Sequence, residues 1–481
     1  MTESAVRSWH AELAWLPGVG VLPDVLIEAS GDRFTQITPR AEGPAWSTRL
    51  PGLTLPSLAN AHSHAFHRAL RGRAQGKAKG SFWTWREQMY QVAARLNPDN
   101  YLALARAVYA EMALAGIGCV GEFHYVHHQP DGEPYAEPNA MSLALVQAAA
   151  EAGLRITLLD TCYLSGGLDS AGASLPLAGP QLRFGDGTAA DWIDRVSALP
   201  ADDHGLLGPT ARVGAAVHSV RAVPPDQLPA MVAWSGRTGA PLHVHLSEQL
   251  AENSACLAAY AGTPTAVLYD AGVLGPRTTV VHATHLTGAD IRLLGGTEVF
   301  ACVCPTTEAE LADGIGPFAE LAAAGCRLTV GSDSQAVIDL FEETRRIELY
   351  QRLASLGRGT FGPEALGTAM TWDGHASLGW PDAGEIAPGS LADLVTLSLD
   401  SPRLAGVADR SDAGSGPGSD WTGDLAGPDL GVLEGAIFAA SAADVRNVVI
   451  SGRDVVVDGR HVLVDDVPGA LKSAIRAVTR G

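Results

Sequence analysis

Lysine is almost missing from this 481-residue chain, standing only at positions 77, 79 and 472. Basic charge as a whole is scarce: 33 Lys and Arg face 53 Asp and Glu, a formal net charge of -20. That sign argues against nucleic acid or anionic membrane as a partner, because both are bound through basic surfaces. No stretch of about 18 uninterrupted apolar residues occurs, so no membrane-crossing helix is expected. The opening "MTESAVRSWHAELAWLPG" lacks a basic segment followed by an apolar one, which leads us to expect no signal peptide and a cytoplasmic protein. Cysteine is sparse as well. Cys119, Cys162, Cys256, Cys302, Cys304 and Cys326 show no pairing rhythm and sit mostly in apolar, strand-like runs, so buried free thiols are expected rather than disulfides. Cys302 and Cys304 form C-x-C in "VFACVCP", a metal-capable pair that no second cysteine pair supports.

What the chain does contain is an ordinary globular composition, 46% hydrophobic and 18% charged, at a length beyond that of one usual core. Eight short apolar runs follow one another: "LTLPSLANAH", "GIGCVGEFHYV", "RITLLDTCYL", "RVGAAVHSV", "PLHVHLSE", "TTVVHATHL", "EVFACVCP" and "CRLTVGSDS". Helix-like stretches such as "NYLALARAVYAEMALAG" separate them. Buried strands alternating with helices predict an α/β fold, a (β/α)8 TIM-like barrel. A doubly wound open sheet would also alternate, but its glycine-rich phosphate turn after the first strand is absent. From about residue 376, "GEIAPGSLADLVTLSLD" and "VRNVVISGRDVVVDGRHVLVDD" read as short strands with turns at Pro388-Gly389 and Asp458-Gly459. Residues 1–52 and 376–481 are expected to build a small β-sandwich domain from both chain ends, and 53–375 the barrel. A Gly-, Asp- and Ser-rich segment at about 400–430 reads as a surface loop.

Polar residues collect where the apolar runs end: His62 and His64, Glu122 and His124, His218, His245 and Glu248, His282, and Asp333. In a TIM barrel that rim carries the active site. Side chains two apart on a strand share a face, so His62 and His64 point together and could hold one divalent metal. Taken alone, the pair reads equally well as two histidines hydrogen-bonded in a polar barrel mouth. The rest of the rim tips the balance: imidazoles and one carboxylate on four strand ends suit Zn²⁺ or Fe²⁺ with a position left for water. His243 and His245 share a strand face, and spacing does not choose between them.

These features resemble the amidohydrolase superfamily: His62-x-His64 on a first strand, histidines on a fifth and sixth, and Asp333 on an eighth, with "GEIAPGSLADLV" similar to its return into the small domain. The segments "NAHSHAFHRAL", "SFWTWREQMY", "GEFHYVHHQPDGEPYAE", "AVHSVRAVP", "HVHLSEQ" and "CPTTEAELADGIGP" resemble its branch of deiminases acting on formimino dicarboxylates. The resemblance implies conversion of N-formimino-L-glutamate to N-formyl-L-glutamate and ammonia. It selects His245 over His243 and implies one divalent ion, Zn or else Fe, held by His62, His64, His245 and Asp333. Relatives with two ions bridge them by a carboxylated lysine on the fourth strand, and no lysine lies in the stretch that could supply one, so a one-metal centre is expected unless Glu or another residue substitutes. Glu248 is implied as proton carrier, with His282 and Asp333 assisting. Arg86 and Arg221 are implied to clamp the two substrate carboxylates, a task suited to planar guanidinium forks, with Tyr125 and His218 adding hydrogen bonds. His67 stands where that branch carries a substrate-contacting glutamine; it could donate a hydrogen bond and, if protonated, add charge. The aromatic group Phe82, Trp83 and Trp85 is expected to pack rather than stack on a ligand without a ring. Analogy with barrel hydrolases adds a homodimer. Two rival readings remain: a deaminase of a cyclic amidine such as guanine or cytosine, and a non-catalytic binding scaffold. The scaffold requires a lost ligand or proton carrier, and none is lost.

Overall fold

The computed structural model of the protein describes residues 6–73, 82–199, 208–408 and 430–480. Most of the loop expected at 400–430 lies outside the described residues. Eight parallel strands pair in sequence order: β1 (Leu58–Ser63), β2 (Ile117–His124), β3 (Arg155–Cys162), β4 (Ala211–Val217), β5 (Leu242–Leu246), β6 (Thr278–His282), β7 (Phe300–Val303) and β8 (Arg327–Val330). β1, β2, β3, β5, β6 and β7 are buried at every position, which is why their sequences read as continuous apolar runs rather than as alternation. Helices cover the outside. The helix Pro98–Leu114 shows the local logic: Asn97 caps it through a reciprocal capping box with Asn100, Pro98 opens it, and Tyr101, Leu104, Ala105, Val108 and Met112 turn inward.

The barrel closes at its C-terminal rim. The Asp333 N–H donates to the His62 carbonyl at 3.0 Å, and the His64 N–H donates to the Asp333 carbonyl at 3.3 Å, joining the segment after β8 to β1. Gly331 permits this approach, since a Cβ there would stand 2.7 Å from the His62 Cβ. Closure and candidate ligands therefore coincide.

The run "LTLPSLANAH", one unit in the sequence, is divided. Its first half ends the strand Thr48–Pro56, which belongs to a second sheet, and its second half is β1. That second sheet has eight strands, drawn from Val6–Thr38, Thr48–Pro56, Leu394–Leu397 and Val445–His461. It curls back on itself: Arg33 bridges to Leu391, and the Phe34 N–H donates to the Ser390 carbonyl. Trp9, Val25, Ile27, Phe34, Leu394 and Val449 fill the fold so made, while alternate residues Trp15, Leu53 and Leu55 join the barrel core. Buried Arg155 of β3 ties barrel to sheet through Asp393 and Ser451. The turn at Asp458-Gly459 has positive φ at both positions (49° and 72°), as a two-residue hairpin demands. All six cysteines are free and buried, and no helix among the described residues is long and apolar enough to cross a membrane.

Candidate active site

β1 ends by placing His62 and His64 on one face, and β5 brings His245 opposite them. His245 Nε2 lies 3.1 Å from His62 Nε2, and Asp333 Oδ1 lies 3.4 Å from Nε2 of both His62 and His64. The far ring nitrogens are fixed by carbonyls. Nδ1–H of His64 donates to the Phe123 carbonyl at 2.8 Å, and Nδ1–H of His245 to the His218 carbonyl at 3.0 Å. A carbonyl only accepts, so each of these rings turns an Nε2 lone pair toward the centre. Burial holds the imidazoles of His62, His64 and His245 below their ordinary pKa, hence neutral. Burial opposes ionisation of Asp333, yet its hydrogen bond with His62 and the surrounding imidazoles push its carboxyl far below the usual range. Three neutral imidazoles and one carboxylate, converging in a buried pocket, are the donor set for a divalent cation of the zinc class. The residues fit such an ion.

Beside this cluster, His282 at the end of β6 faces three carboxylates. Its Nε2 lies 3.8 Å from Glu248 Oε1 and 3.8 Å from Asp333 Oδ2, and its Nδ1 lies 3.5 Å from Glu308 Oε1. Burial works against its charge, but Glu248, Glu308 and Asp333 together raise its pKa well above normal, so it is a cation. Burial, only partly offset by His282, pushes the Glu248 carboxyl up to about 7. His282 and Asp333 both adopt left-handed backbone conformations (φ 70° and 39°), which cost non-glycine residues about 1 kcal/mol or more each. Both strained residues carry candidate chemistry. Behind β1, buried Glu122 accepts from Ser63 Oγ at 2.8 Å and the Ala65 N–H at 2.7 Å, clamping the turn that follows the histidine pair.

A cavity opens onto the cluster. His67, Arg86, Tyr125, His218 and Arg221 all line it, as do His64, His245, Glu248, His282 and Asp333. Arg86 lies over the Tyr90 ring at 5.6 Å, and Arg221 Nε stands 3.6 Å from Glu252 Oε1. Both cations bear on His218, which burial first and then Arg221 and Arg86 keep neutral. His67 donates to, or accepts from, the Tyr125 hydroxyl at 3.1 Å. Burial drops its pKa to about 3, which leaves hydrogen bonding and removes the option of added charge.

The structure separates His243 from the site. His243 reaches the Ser377 carbonyl at 3.0 Å, away from the cluster. His127 and His128 belong to a buried network with Asp160, Asp186 and Arg195. Trp85 packs against the barrel core and also lines the cavity, edge-on to His67 with ring centroids 5.0 Å apart. The Phe82 and Trp83 side chains lie outside the described residues. Sequence reasoning missed Glu308, although it lay in the quoted segment "CPTTEAELADGIGP", and it missed the cavity walls Tyr90, Tyr163, Phe184 and Leu311. Nothing in spacing marks an apolar wall residue.

Fold and site together define a barrel hydrolase built around a metal-ligating rim. The model of the amidohydrolase family matches residues 53–455, and the chain belongs to that family. It is a hydrolase acting on C–N bonds. It is 37% identical over 456 residues to formimidoylglutamate deiminase of Pseudomonas aeruginosa, covering 92% of this chain and 93% of that one. It is 31% identical over 372 residues to 8-oxoguanine deaminase of the same species, covering 74% and 77%. A crystal structure of an amidohydrolase from Brucella melitensis superposes with a TM-score of 0.83 at 30% identity, covering 98% of this chain and 99% of the other.

Proposed function

We propose that the enzyme hydrolyses N-formimino-L-glutamate to N-formyl-L-glutamate and ammonia. The observation that carries this reading is the pairing, in one cavity, of two arginines with a His/Asp cluster, set beside the 37% likeness to a formimidoylglutamate deiminase. An acidic protein that accepts a dicarboxylate needs local cations, and Arg86 and Arg221 supply them.

His62, His64, His245 and Asp333 would hold one divalent ion, zinc or else iron. Such an ion, when bound, supplies an acidified water and polarises the group under attack. The chain's own residues do the rest. Arg86 and Arg221 grip the glutamate carboxylates, Tyr125 and His218 hydrogen-bond to them, and the formimino carbon is thereby directed at Glu248 and His282. Glu248 takes a proton as water adds to that carbon and returns it to the terminal nitrogen; the remaining hydroxyl proton follows to the same nitrogen as the C=O bond of the formyl group forms, and the nitrogen leaves as ammonia. Cationic His282 donates a hydrogen bond to the developing tetrahedral centre. Asp333 anchors the cluster and shares its second oxygen with His282. In this reading residues 53–375 carry the catalytic barrel, 53–56 being the end of a strand of the second sheet, and 1–52 with 376–481 form a supporting domain.

The 31% likeness to 8-oxoguanine deaminase supports a second reading, a cyclic amidine as substrate. Ammonia release from N-formimino-L-glutamate, guanine and cytosine compared at equal enzyme separates the two. The dicarboxylate reading expects turnover of the first, lost when Arg86 and Arg221 are replaced; it fails if turnover survives both replacements.

A further inference from the structure

The C-x-C pair at the end of β7, Cys302 within the strand and Cys304 just after it, has no part in the reaction above. Cys302 and Cys304 face the barrel interior and cluster with Ala61 and Val281, the residues that precede His62 and His282, directly beneath the rim. Cys304 Sγ, a ring nitrogen of His282 and a carboxylate oxygen of Asp333 all lie within 4.8 Å of one another, each residue buried. Asp333 faces two ways: Oδ1 looks to His62 and His64, and Oδ2 looks to His282. A carboxylate so placed can serve a different ion on each oxygen. Two buried polar atoms at the same spot lack any hydrogen-bond partner, His282 Nδ1 and Glu308 Oε2, so donor capacity there is unspent. One thiol, one imidazole and carboxylates form a donor set for thiophilic ions of the zinc class, whereas Mg²⁺ and Ca²⁺ require oxygen throughout.

We propose that Cys304, His282 and Asp333 form a second metal site, adjoining the His62–His64–His245–Asp333 centre, that takes a thiophilic divalent ion and thereby inhibits the enzyme. The site fills after the first one, because it offers fewer groups and because both its buried thiol and cationic His282 must give up a proton to solvent as the metal–sulfur and metal–nitrogen bonds form. Glu308 completes its surroundings. Occupation withdraws His282 and one oxygen of Asp333 from the substrate. That inhibitory consequence rests on the proposed function; the binding does not.

The test starts from enzyme loaded with one equivalent of zinc and adds Cd²⁺ alone as probe. Metal content, the ultraviolet thiolate-to-cadmium charge-transfer band and ammonia release are read together. The expected result is zinc retained, a further cadmium bound, the band appearing, and the rate falling in step. Cys304→Ser should keep the zinc, the melting transition and the basal rate, lose the band, and need roughly tenfold or more cadmium for the same inhibition. Cys304→Ala repeats the test without a buried hydroxyl, and Cys302→Ser, which puts the same hydroxyl one step away, should keep the band. Cadmium that displaces zinc without a thiolate band, or a band that persists in Cys304→Ser, overturns the proposal. Because stoichiometry and spectrum need no substrate, a site confirmed in protein that leaves N-formimino-L-glutamate unchanged would sink the substrate assignment and leave the site standing.

Discussion

His245 on β5 brings its Nε2 to 3.1 Å from His62 Nε2 on β1, across the full width of the barrel mouth. With His64 Nε2 and Asp333 Oδ1 beside them, four electron-rich atoms crowd one buried point. A cation relieves that crowding. His245→Ala should therefore lose the ion on dialysis and lower kcat/KM by roughly a thousandfold, the several kcal/mol that metal activation supplies. Metal content per chain and ammonia release check both halves.

Glu248, whose carboxyl burial raises to about 7, sits 3.8 Å from His282. A proton carrier that begins as a base must be ionised, so activity should rise with pH through an acid limb at or below about 7, a bound cation drawing it downward. Glu248→Gln should cut kcat by about 10²- to 10⁴-fold, keep the ion and flatten that limb. Persistence of the limb in the variant would assign it elsewhere.

Arg86 and Arg221 flank His218 in the cavity, and each charge-assisted hydrogen bond to a carboxylate contributes about 1.5–3 kcal/mol. Arg86→Met and Arg221→Met should each lower kcat/KM for N-formimino-L-glutamate by roughly ten- to a hundredfold, mainly through KM. The same changes should leave uncharged formamidines unaffected. Arg221→Met also strips Glu252 of its partner, so a lowered melting temperature is expected for that variant alone.

Strand ends and ligand types were legible because chemistry selects them: few residues besides His62, His64, His245 and Asp333 can serve a zinc-class ion, and the run pattern put each at a strand terminus. Choosing His245 over His243 was not legible from spacing, since the deciding fact is the Ser377 carbonyl, supplied by the helix Trp372–Ser377 far along the chain. The division of "LTLPSLANAH" between two sheets was hidden for a related reason. Both halves are apolar, and only strand partners distinguish them. Glu308 escaped because a helix-borne carboxylate looks like surface until His282 is seen against it.

Arg195 is buried between Asp160 and Asp186, at 2.8 and 2.7 Å. Burial resists ionisation of Asp160, but Arg195 holds its carboxyl far below the ordinary value; His128 and Arg195 do the same for Asp186. Both folded pKa values are depressed, so this contribution to stability is full above the unfolded value of about 3.9 and fades as pH falls further. Arg195→Met leaves buried Asp160 without its guanidinium and Asp186 with His128 alone, and should cost about 3–5 kcal/mol at neutral pH. The variant should also lose less stability than the wild type on acidification. Urea melts at a series of pH values read both effects.

The central claim, that His62, His64, His245 and Asp333 hold one ion required for C–N hydrolysis, is met most directly by ammonia release from N-formimino-L-glutamate before chelation, after it, and after adding back one equivalent of metal. The account predicts loss of turnover with loss of about one tightly held ion per chain, and recovery on restoring it. Full turnover by protein shown to be metal-free would contradict it.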